Sequence, residues 1–471
     1  MLRKFVPLFL LFFVLISTPV FSSSTNDNQK YYTILLKSNE NWEEALEKIK
    51  LLNGTITYTV PEIGLVQIKS NDSVINKIKT NHLSIIDSLN PSIQIEQSIL
   101  KPFSTMSVDK LNINNTTSSL WDLQWDMKDV TQNGKSYNIE TGSHKVVVGI
   151  VDSGIDTDHQ DLRSNILENS INFVPKGGFR ETEPLETGEL SNVEDLMGHG
   201  TMVAGTIAAN GEMKGVAPNI AIKSYRVFGN KSAEAIWIIK AIIQAANDNI
   251  DVINLSLGSY YIKGEILTNG ELSENNFAEV KAYQKAIKYA NKSGSIVVAS
   301  AGNDSINIAD KKELSNFLAG ELSEEGQTFK GKAYAIPGEL NDVITVSSTG
   351  PTEELSTFSN YGKGYIDISA PGGDSRLLEE VGYDRWWNEG IFREEAVMTT
   401  YNNGRYTFSL GTSLAAPKVS AALALIIEKY NYKDKPNKTI NHLYKYGIKN
   451  NMNNKDYWGN GQLDVYKALM K

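Results

Sequence analysis

The sequence predicts an α/β fold: a doubly wound, mainly parallel sheet with helices on both faces, preceded by a small α+β unit. Two patterns support this prediction. From about residue 120 onward, short β-branched runs alternate with longer segments of helical periodicity. The strand candidates are apolar throughout, as in strands that are buried on both faces of a parallel sheet. They cover residues 145–151, 221–227, 252–257, 295–300 and 343–347.

Composition narrows the range of functions. The chain has 471 residues and a formal net charge of −9, and this length corresponds to two or three domains. An acidic chain lacks the basic face that displaces counterions from phosphates, so we expect no nucleic-acid partner. Because the chain contains no cysteine, disulfides, thiolate metal ligands and cysteine nucleophiles are excluded.

The first 23 residues have the pattern of a signal peptide. Arg3 and Lys4 precede an apolar run over residues 5–16, and small polar residues follow. A membrane anchor is the alternative, but the run is short for a hydrocarbon core of about 30 Å. The sequence contains no second run of spanning length and no sorting motif at its C-terminus. We therefore expect a secreted, extracellular protein without a membrane span in its mature form.

Residues 24–110 are predicted to form a separate α+β unit. Its strand candidates are 31–36, 55–60, 63–68 and 93–95, and its helix candidates are 42–52 and a short segment around 74–78. Residues 101–119 are polar, which is typical of an exposed linker that proteases cut. The predicted organisation is therefore 1–23, 24–110 and 111–471.

Within residues 111–471, three long helices are predicted. They cover residues 233–247, 278–291 and 412–430, the first of them with Ser232 as its N-cap. The acidic stretch 176–195 contains several glycines and is expected to form a surface loop.

Three residues in this region suggest nucleophilic catalysis. Asp152 follows the strand at 145–151, His199 lies between two glycines at the start of a helical segment, and Ser413 begins the helix at 412–430. Active-site groups of such folds collect at the carboxyl ends of the parallel strands, so we expect the three to meet there. Serine would be the nucleophile and histidine the general base and acid. Aspartate would orient the imidazole and stabilise its charged form.

Asn303 is a fourth candidate for catalysis. It follows the strand at 295–300, and its side-chain amide can donate a hydrogen bond to the oxyanion of a tetrahedral intermediate. The backbone N–H of Ser413 is the expected second donor, because it lies in the first turn of a helix.

Six sequence blocks in a fixed order resemble those of the subtilisin-like serine proteases, the subtilases, over most of residues 120–430. They are Asp152-Ser153-Gly154-Ile155, Gly198-His199-Gly200-Thr201, Gly215-Val216-Ala217-Pro218, Asn254-Leu255-Ser256-Leu257-Gly258, Ala301-Gly302-Asn303 and Gly411-Thr412-Ser413. The resemblance implies a subtilisin-like fold and endopeptidase activity that requires no cofactor. It also implies that residues 24–110 are a ferredoxin-like propeptide, which assists folding, inhibits the enzyme and is removed by self-cleavage.

The same resemblance suggests substrate-binding residues. Ser256, Leu257 and Gly258 match the edge to which the substrate backbone adds as an extra strand. Asp304 matches the rim of the pocket for the residue before the scissile bond, where a carboxylate would favour Arg or Lys; an exposed turn residue is the alternative. Asp195 either lines the cleft and attracts a basic side chain, or belongs to a solvated acidic loop.

The sequence leaves calcium binding open, and we assign no specific residue as a metal ligand. Asp161 matches a position that helps to bind calcium in many subtilases, but the loop over residues 208–217 is shorter than in those members. An aspartate that caps a turn is the alternative, and the acidic loops offer other oxygen ligands. The remaining histidines are expected to be structural or surface residues; they are His82, His144, His159 and His442.

Three features of the sequence resemble those of the lantibiotic leader peptidases, which release a modified antimicrobial peptide from its leader. These features are the motif at 254–260, the insertion at 261–277 and the acidic loop before the histidine. Two further stretches, 304–335 and 374–408, lengthen the chain. The aromatic residues of the second either recognise a peptide partner or form a small core of their own.

The leading hypothesis is a secreted, self-processing and monomeric serine endopeptidase. Its partners would be its own propeptide and a peptide substrate such as a lantibiotic precursor. The alternatives are a broad-specificity extracellular protease for nutrition or virulence, and a catalytically inactive binding protein. The complete set of Asp152, His199, Asn303 and Ser413 argues against the last of these.

Overall fold

The computed structural model describes residues 29–51, 53–81, 85–96, 104–106, 120–268, 271–274, 277–324, 326–449 and 454–471. The predicted signal peptide, most of the predicted linker and His82 lie outside the described residues. The strands are Lys30–Leu36 (β1), Thr55–Val60 (β2), Leu65–Ser70 (β3), Ile86–Pro91 (β4), Gln94–Ile95 (β5), Ser104–Met106 (β6), Val147–Asp152 (β7), Ile171–Asn172 (β8), Ala221–Arg226 (β9), Ala233–Glu234 (β10), Val252–Leu255 (β11), Ser259–Thr268 (β12), Glu271–Glu274 (β13), Ile296–Ser300 (β14), Gln327–Ile336 (β15), Val343–Thr349 (β16), Ile368–Pro371 (β17), Val397–Tyr401 (β18), Arg405–Ser409 (β19), Ile448–Lys449 (β20) and Gln462–Leu463 (β21).

The helices alternate with these strands over most of the chain. They are Trp42–Leu51 (α1), Asp72–Asn81 (α2), Trp125–Val130 (α3), His199–Ala208 (α4), Ala235–Asn247 (α5), Phe277–Lys292 (α6), Lys311–Glu324 (α7), Arg376–Val381 (α8), Tyr383–Asn388 (α9), Phe392–Glu395 (α10), Thr412–Tyr430 (α11), Pro436–Tyr446 (α12), Lys455–Trp458 (α13) and Val465–Leu469 (α14). Among the described residues, no helix combines the length and the apolar character that crossing a bilayer requires.

The N-terminal unit is an antiparallel sheet in the order β2-β3-β1-β4, with α1 and α2 between its strands in the sequence. The order β-α-β-β-α-β is that of the ferredoxin-like fold. Ile34 and Leu36 face a core that they share with Ile49 and Ile78 of the two helices. Leu35, between them, belongs instead to the cluster that contains α5 and α6. The sheet therefore packs its second face on the larger domain.

The larger domain is built on a nine-stranded sheet in the order β20-β21-β17-β16-β14-β11-β7-β9-β8. Its neighbouring strands are parallel except for β20 and β21. Helices cover both faces. Val148 and Ile150 of β7 share a buried cluster with α4 and α11, whereas Val151 shares the cluster of α5 and α6. The predicted doubly wound α/β fold is thus confirmed.

A buried ion pair joins the beginning of this domain to its longest helix. Lys418 Nζ in α11 lies 2.8 Å from Asp126 Oδ2 in α3, and both side chains are fully buried. Lys418 Nζ also donates to the carbonyl oxygen of Leu414, 3.1 Å away. A charge of this kind is costly to bury without its partner, so α3 and α11 are held together as one unit.

The insertions form small sheets of their own. The chain over 261–277 contributes to β12, which pairs along its whole length with β15 from the stretch 304–335. In the stretch 374–408, three short helices precede the hairpin of β18 and β19, and β6 pairs with the edge of β19. These insertions therefore carry regular secondary structure.

Two local predictions were wrong. Ser232 is not the N-cap of α5, because the short strand β10 intervenes and the Ser232 hydroxyl accepts a hydrogen bond from Gln94 Nε2 (2.8 Å). The strand predicted from residue 63 begins at Leu65, since Pro61–Ile63 form a 3₁₀ turn that Gly64 ends in a left-handed conformation.

Candidate active site

Asp152 and His199 form a hydrogen-bonded pair at the carboxyl edge of the central sheet. Asp152 is the last residue of β7, and its Oδ1 lies 2.8 Å from His199 Nδ1. The same oxygen accepts the backbone N–H of Ser153 at 2.7 Å. Both side chains are buried, so the carboxylate fixes the ring orientation and favours the tautomer that carries its proton on Nδ1.

Local backbone geometry places His199 at the start of α4. Gly198 precedes it with φ of 88°, a left-handed conformation that favours glycine. A side chain at Gly198 would also collide with the ring of Tyr401, 2.2 Å from the position of a Cβ atom. The glycine therefore allows a sharp entry into the helix next to a close aromatic neighbour.

Two opposing effects set the proton affinity of the imidazole. Burial disfavours the charged ring, but the Asp152 carboxylate and its hydrogen bond outweigh burial and raise the pKa of His199 above its ordinary value. The pair is thus arranged to accept a proton and to hold the resulting positive charge.

Ser413 and Asn303 approach each other from two different elements. Ser413 is the second residue of α11, and Asn303 follows β14. Asn303 Oδ1 accepts from the Thr412 backbone N–H and hydroxyl, both at 2.9 Å, which turns the amide nitrogen toward the serine. The position that a Cβ atom would take at Gly411 shows how close these groups are: it lies 3.0 Å from Ser413 Oγ and 3.7 Å from Asn303 Nδ2. The hydroxyl and the amide therefore flank the same point in space, as a nucleophile and an oxyanion donor must.

Packing of α4 against α11 brings the two halves of the site to the same edge of the sheet. Met202 and Leu414 share a small buried cluster with Val397. Met202 lies one turn after His199, and Leu414 directly follows Ser413. The four predicted catalytic residues thus occupy one edge of the fold.

Asp195 does not serve as a substrate-binding residue, and this prediction was wrong. Its carboxylate is buried and accepts hydrogen bonds from the Ser153 hydroxyl (2.8 Å), the Gly198 N–H (2.7 Å) and the N–H and hydroxyl of Thr201 (2.8 and 2.7 Å). Both oxygens are thus engaged within the fold. Asp195 satisfies free amides at the beginning of α4 and so supports His199 from behind.

A cavity of about 380 Å³ adjoins Ser413, and it is lined by the remaining predicted substrate-binding residues, Ser256, Leu257, Gly258 and Asp304. The Ser256 hydroxyl donates to the backbone oxygen of Ser413 at 2.8 Å. β11 ends at Leu255. Residues 256–258 therefore form an irregular extension of that strand. Addition of a substrate strand to this segment stays a prediction.

Other residues also line the cavity, and the sequence did not reveal them. The Tyr260 hydroxyl donates to the Asp304 carboxylate and accepts from Asn360 Nδ2, 2.8 Å away. Phe317 and Glu321 of α7 also line the cavity. Apolar residues at 314, 317, 318 and 322 have helical spacing, a signal that could have identified α7 but not its position.

His144, His159, His442 and Asp161 have structural surroundings. His159 and His442 have ring nitrogens within 3.0 and 2.9 Å of backbone oxygens, and His144 lies 3.3 Å from Asn165 Oδ1. The Asp161 carboxylate accepts the backbone N–H groups of residues 212 and 213 at 3.1 and 2.9 Å, which is the turn-capping geometry. In the described part of the chain, no group of three or more His, Cys, Asp or Glu side chains could hold a metal ion.

The aromatic stretch at 374–408 mostly belongs to the core. Trp386, Phe392 and Tyr406 are buried in the same cluster as α4 and α11, and Trp387 stacks on Phe392 with ring centroids 4.7 Å apart. Arg393 is exposed. This arrangement favours the structural interpretation of the stretch over recognition of a peptide.

Comparison with known proteins agrees with this geometry. The family described as the subtilase family matches residues 143–461. The epidermin leader peptide-processing serine protease of Staphylococcus epidermidis is 42% identical over 452 residues, which are 95% of this chain and 95% of that protein. The nisin leader peptide-processing serine protease of Lactococcus lactis subsp. lactis is 40% identical over 366 residues, 78% of this chain and 51% of that protein.

A solved structure shows the same architecture. The crystal structure of the epidermin leader peptide processing serine protease from Staphylococcus aureus has a TM-score of 0.82 at 41% identity, and the match covers 94% of this chain and 98% of that one. The fold, the catalytic geometry and these matches agree. The chain therefore belongs to the subtilase family of serine proteases.

Proposed function

We propose that this protein is a secreted, self-processing serine endopeptidase that removes the leader from a lantibiotic precursor peptide. The observation that carries the proposal is the Asp152–His199 pair at the same sheet edge as Ser413 and Asn303. The named activity of the two relatives, each a leader peptide-processing serine protease, supports the choice of substrate.

Peptide hydrolysis follows from the roles of these groups. Ser413 Oγ attacks the scissile carbonyl carbon while His199 Nε2 takes its proton, and Asp152 stabilises the imidazolium. The oxyanion of the tetrahedral intermediate accepts hydrogen bonds from Asn303 Nδ2 and the Ser413 N–H. His199 then protonates the leaving amine, and a water molecule hydrolyses the acyl-enzyme by the same steps in reverse order.

Self-processing is supported by the position of the N-terminal unit. Gln94 and Glu96 of this unit line the cavity next to Ser413. β5 pairs with β10 in antiparallel fashion, as an inhibitory peptide would pair with a protease. We therefore propose that residues 24–110 are the propeptide and that the maturation bond lies within about residues 98–120, in or next to the predicted linker.

Comparison of a leader-bearing precursor with casein tests the proposed substrate. A lantibiotic precursor of the epidermin type should be cut once, at its leader junction, and much faster per bond than casein, because the cavity and the insertions restrict access. Mass spectrometry of the products would identify the bond. Casein hydrolysis at an equal rate would instead favour the broad-specificity protease.

We further propose that the cavity prefers Arg or Lys before the scissile bond. Asp304 is exposed at the cavity, and its carboxylate is held by the Tyr260 hydroxyl, which Asn360 orients in turn. Glu321 adds a second carboxylate to the same cavity. Two acidic groups around one pocket attract a basic side chain by charge complementarity.

Asp304→Ser should lower the ratio of kcat/KM for an Arg substrate to that for a Leu substrate by about tenfold or more, because the favourable charge is lost. Peptides that differ only in the residue before the scissile bond would measure this ratio. Asp304→Asn separates charge from shape, and Glu324→Gln, at the end of α7 outside the cavity, is the control. An unchanged Arg/Leu ratio would refute the preference.

A further inference from the structure

The N-terminal unit covers a face of α5 and α6 that is apolar at its centre. Leu35, Val60 and Leu65 share a buried cluster with both helices. Tyr58 lies against Trp237 of α5, with ring centroids 6.4 Å apart. Removal of residues 29–96 would therefore expose apolar surface on the mature enzyme, and such surfaces usually bind something.

Lysines on both helices surround this apolar centre. Lys240 Nζ of α5 lies 3.1 Å from Glu62 Oε1, and Lys281 Nζ of α6 lies 2.7 Å from Asp87 Oδ2. One turn further along α6, Lys285 Nζ donates to two backbone carbonyl oxygens of the covering unit, at 3.1 and 3.2 Å. Each lysine thus contacts an oxygen of the segment that covers it.

Three acidic side chains lie on the same side. Glu181 pairs with Lys69 at 2.8 Å, and buried Glu279 accepts a hydrogen bond from Asn90. Glu234 keeps Arg180 as its partner within the larger domain, at 2.9 Å. When the N-terminal unit leaves, the α5–α6 face loses two carboxylates, Glu62 and Asp87, but only one ammonium group, Lys69, so the face becomes more basic.

The chain itself shows a path from the catalytic cleft to this face. Glu96 lines the cavity beside Ser413. Upstream of it, Asn90 Oδ1 accepts the backbone N–H of Ala278 at 2.8 Å, and Asp87 reaches Lys281. Residues 96 back to 87 therefore lead from the cleft to Lys281, the first lysine of α6.

We propose that, once residues 29–96 have left, the α5–α6 face with Lys240, Lys281 and Lys285 binds the N-terminal leader of the substrate through acidic and apolar side chains. This inference rests on the proposed function, because a leader lies N-terminal to the bond that is cut. The leader takes the path that residues 87–96 take in the full chain. Its binding away from the cleft raises kcat/KM for the whole precursor, and the charged contacts make that gain sensitive to salt.

Three synthetic substrates test the inference with mature enzyme. The first is a short peptide that spans only a cleavable bond. The second carries, N-terminal to the same peptide, an extension of about 15 residues with Asp, Glu and Leu, long enough in extended form to pass Lys285. The third has the same extension with Lys in place of each acid. Each is assayed with wild type, Lys281→Glu/Lys285→Glu and the control Lys312→Glu, whose side chain is exposed on α7, away from the α5–α6 face.

Wild type should cut the acidic extended substrate at least about tenfold better than the short peptide, and this advantage should vanish in the double variant. The short peptide should be cut equally by all three enzymes, and the Lys-bearing substrate should be cut best by the double variant. Equal losses on short and extended substrates, or an advantage that persists in the double variant, would overturn the inference.

Wild-type enzyme provides a second measurement if the double variant does not mature. The acidic extension alone, without a cleavable bond, should inhibit cleavage of the extended substrate and leave cleavage of the short peptide unchanged. Absence of this selective competition would refute leader binding at the α5–α6 face. Failure of the proposed function would look different: an inactive protein would not hydrolyse even the short peptide, and a broad-specificity protease would cut casein as fast as the extended substrate.

Discussion

Ser413→Ala should accumulate as an uncut precursor and lose catalysis by about 10⁶, the size of the loss that removal of the nucleophile causes in subtilisin. The substitution deletes the only atom that can form the acyl-enzyme. It should leave the fold intact, since alanine suits a helix and the Ser256 hydroxyl contacts the backbone oxygen of Ser413 rather than its side chain. Mass determination of the purified protein and labelling with a serine-directed fluorophosphonate would measure both effects.

Ser323→Ala is the matched control for this experiment. Ser323 lies exposed in α7, so this variant should mature and become labelled like wild type. Normal maturation of Ser413→Ala would mean that another protease removes the N-terminal unit. Labelling of Ser413→Ala at an unchanged level would mean that another residue is the nucleophile.

Asp152→Asn should reduce kcat by about 10⁴, the effect of neutralising this aspartate in serine proteases of the same mechanism. An amide can donate a hydrogen bond to Nδ1 of His199, and that contact stabilises the wrong tautomer. The variant should also change the pH profile. The pKa of His199 is raised by the Asp152 carboxylate, and the neutral ring is the active base. Loss of the carboxylate should therefore move the acidic limb of residual activity to lower pH.

Measurement of kcat/KM against pH for Asp152→Asn and for Asp158→Asn would separate this effect from a general loss of charge. Asp158 is exposed and lies six positions after Asp152. Its variant should therefore keep both the rate and the acidic limb of wild type. Nearly full activity in Asp152→Asn, or an acidic limb at its original position, would contradict the role that we assign to the Asp152–His199 pair.

The catalytic core could be predicted because its signals are local. Short motifs fix Asp152, His199 and Ser413 at the ends of strands or the beginnings of helices, and parallel strands bring such ends to one edge. Apolar strands that alternate with helices likewise indicated burial on both faces, and Ile150 and Val151 lie on opposite faces of β7.

Asp195 and Tyr260 show where sequence reasoning failed. A run of acidic residues usually lies in solvent. The Asp195 carboxylate instead accepts hydrogen bonds from backbone N–H groups at the beginning of α4, and the folding of the loop brings these groups together. The contact of Tyr260 with Asp304 joins residues that are 44 positions apart in the chain. Such a contact depends on how the fold places β12 next to the loop that follows β14, and no local pattern encodes that placement.

The Asp126–Lys418 pair limits how far the chain can be shortened. Lys418 lies five positions after the nucleophile, and its counter-ion sits near the start of the larger domain. A truncated fragment that began after α3 would leave an ammonium group stranded in a dry interior beneath the helix that presents Ser413. The minimal functional fragment of this enzyme therefore has to retain residues that lie almost three hundred positions before its nucleophile.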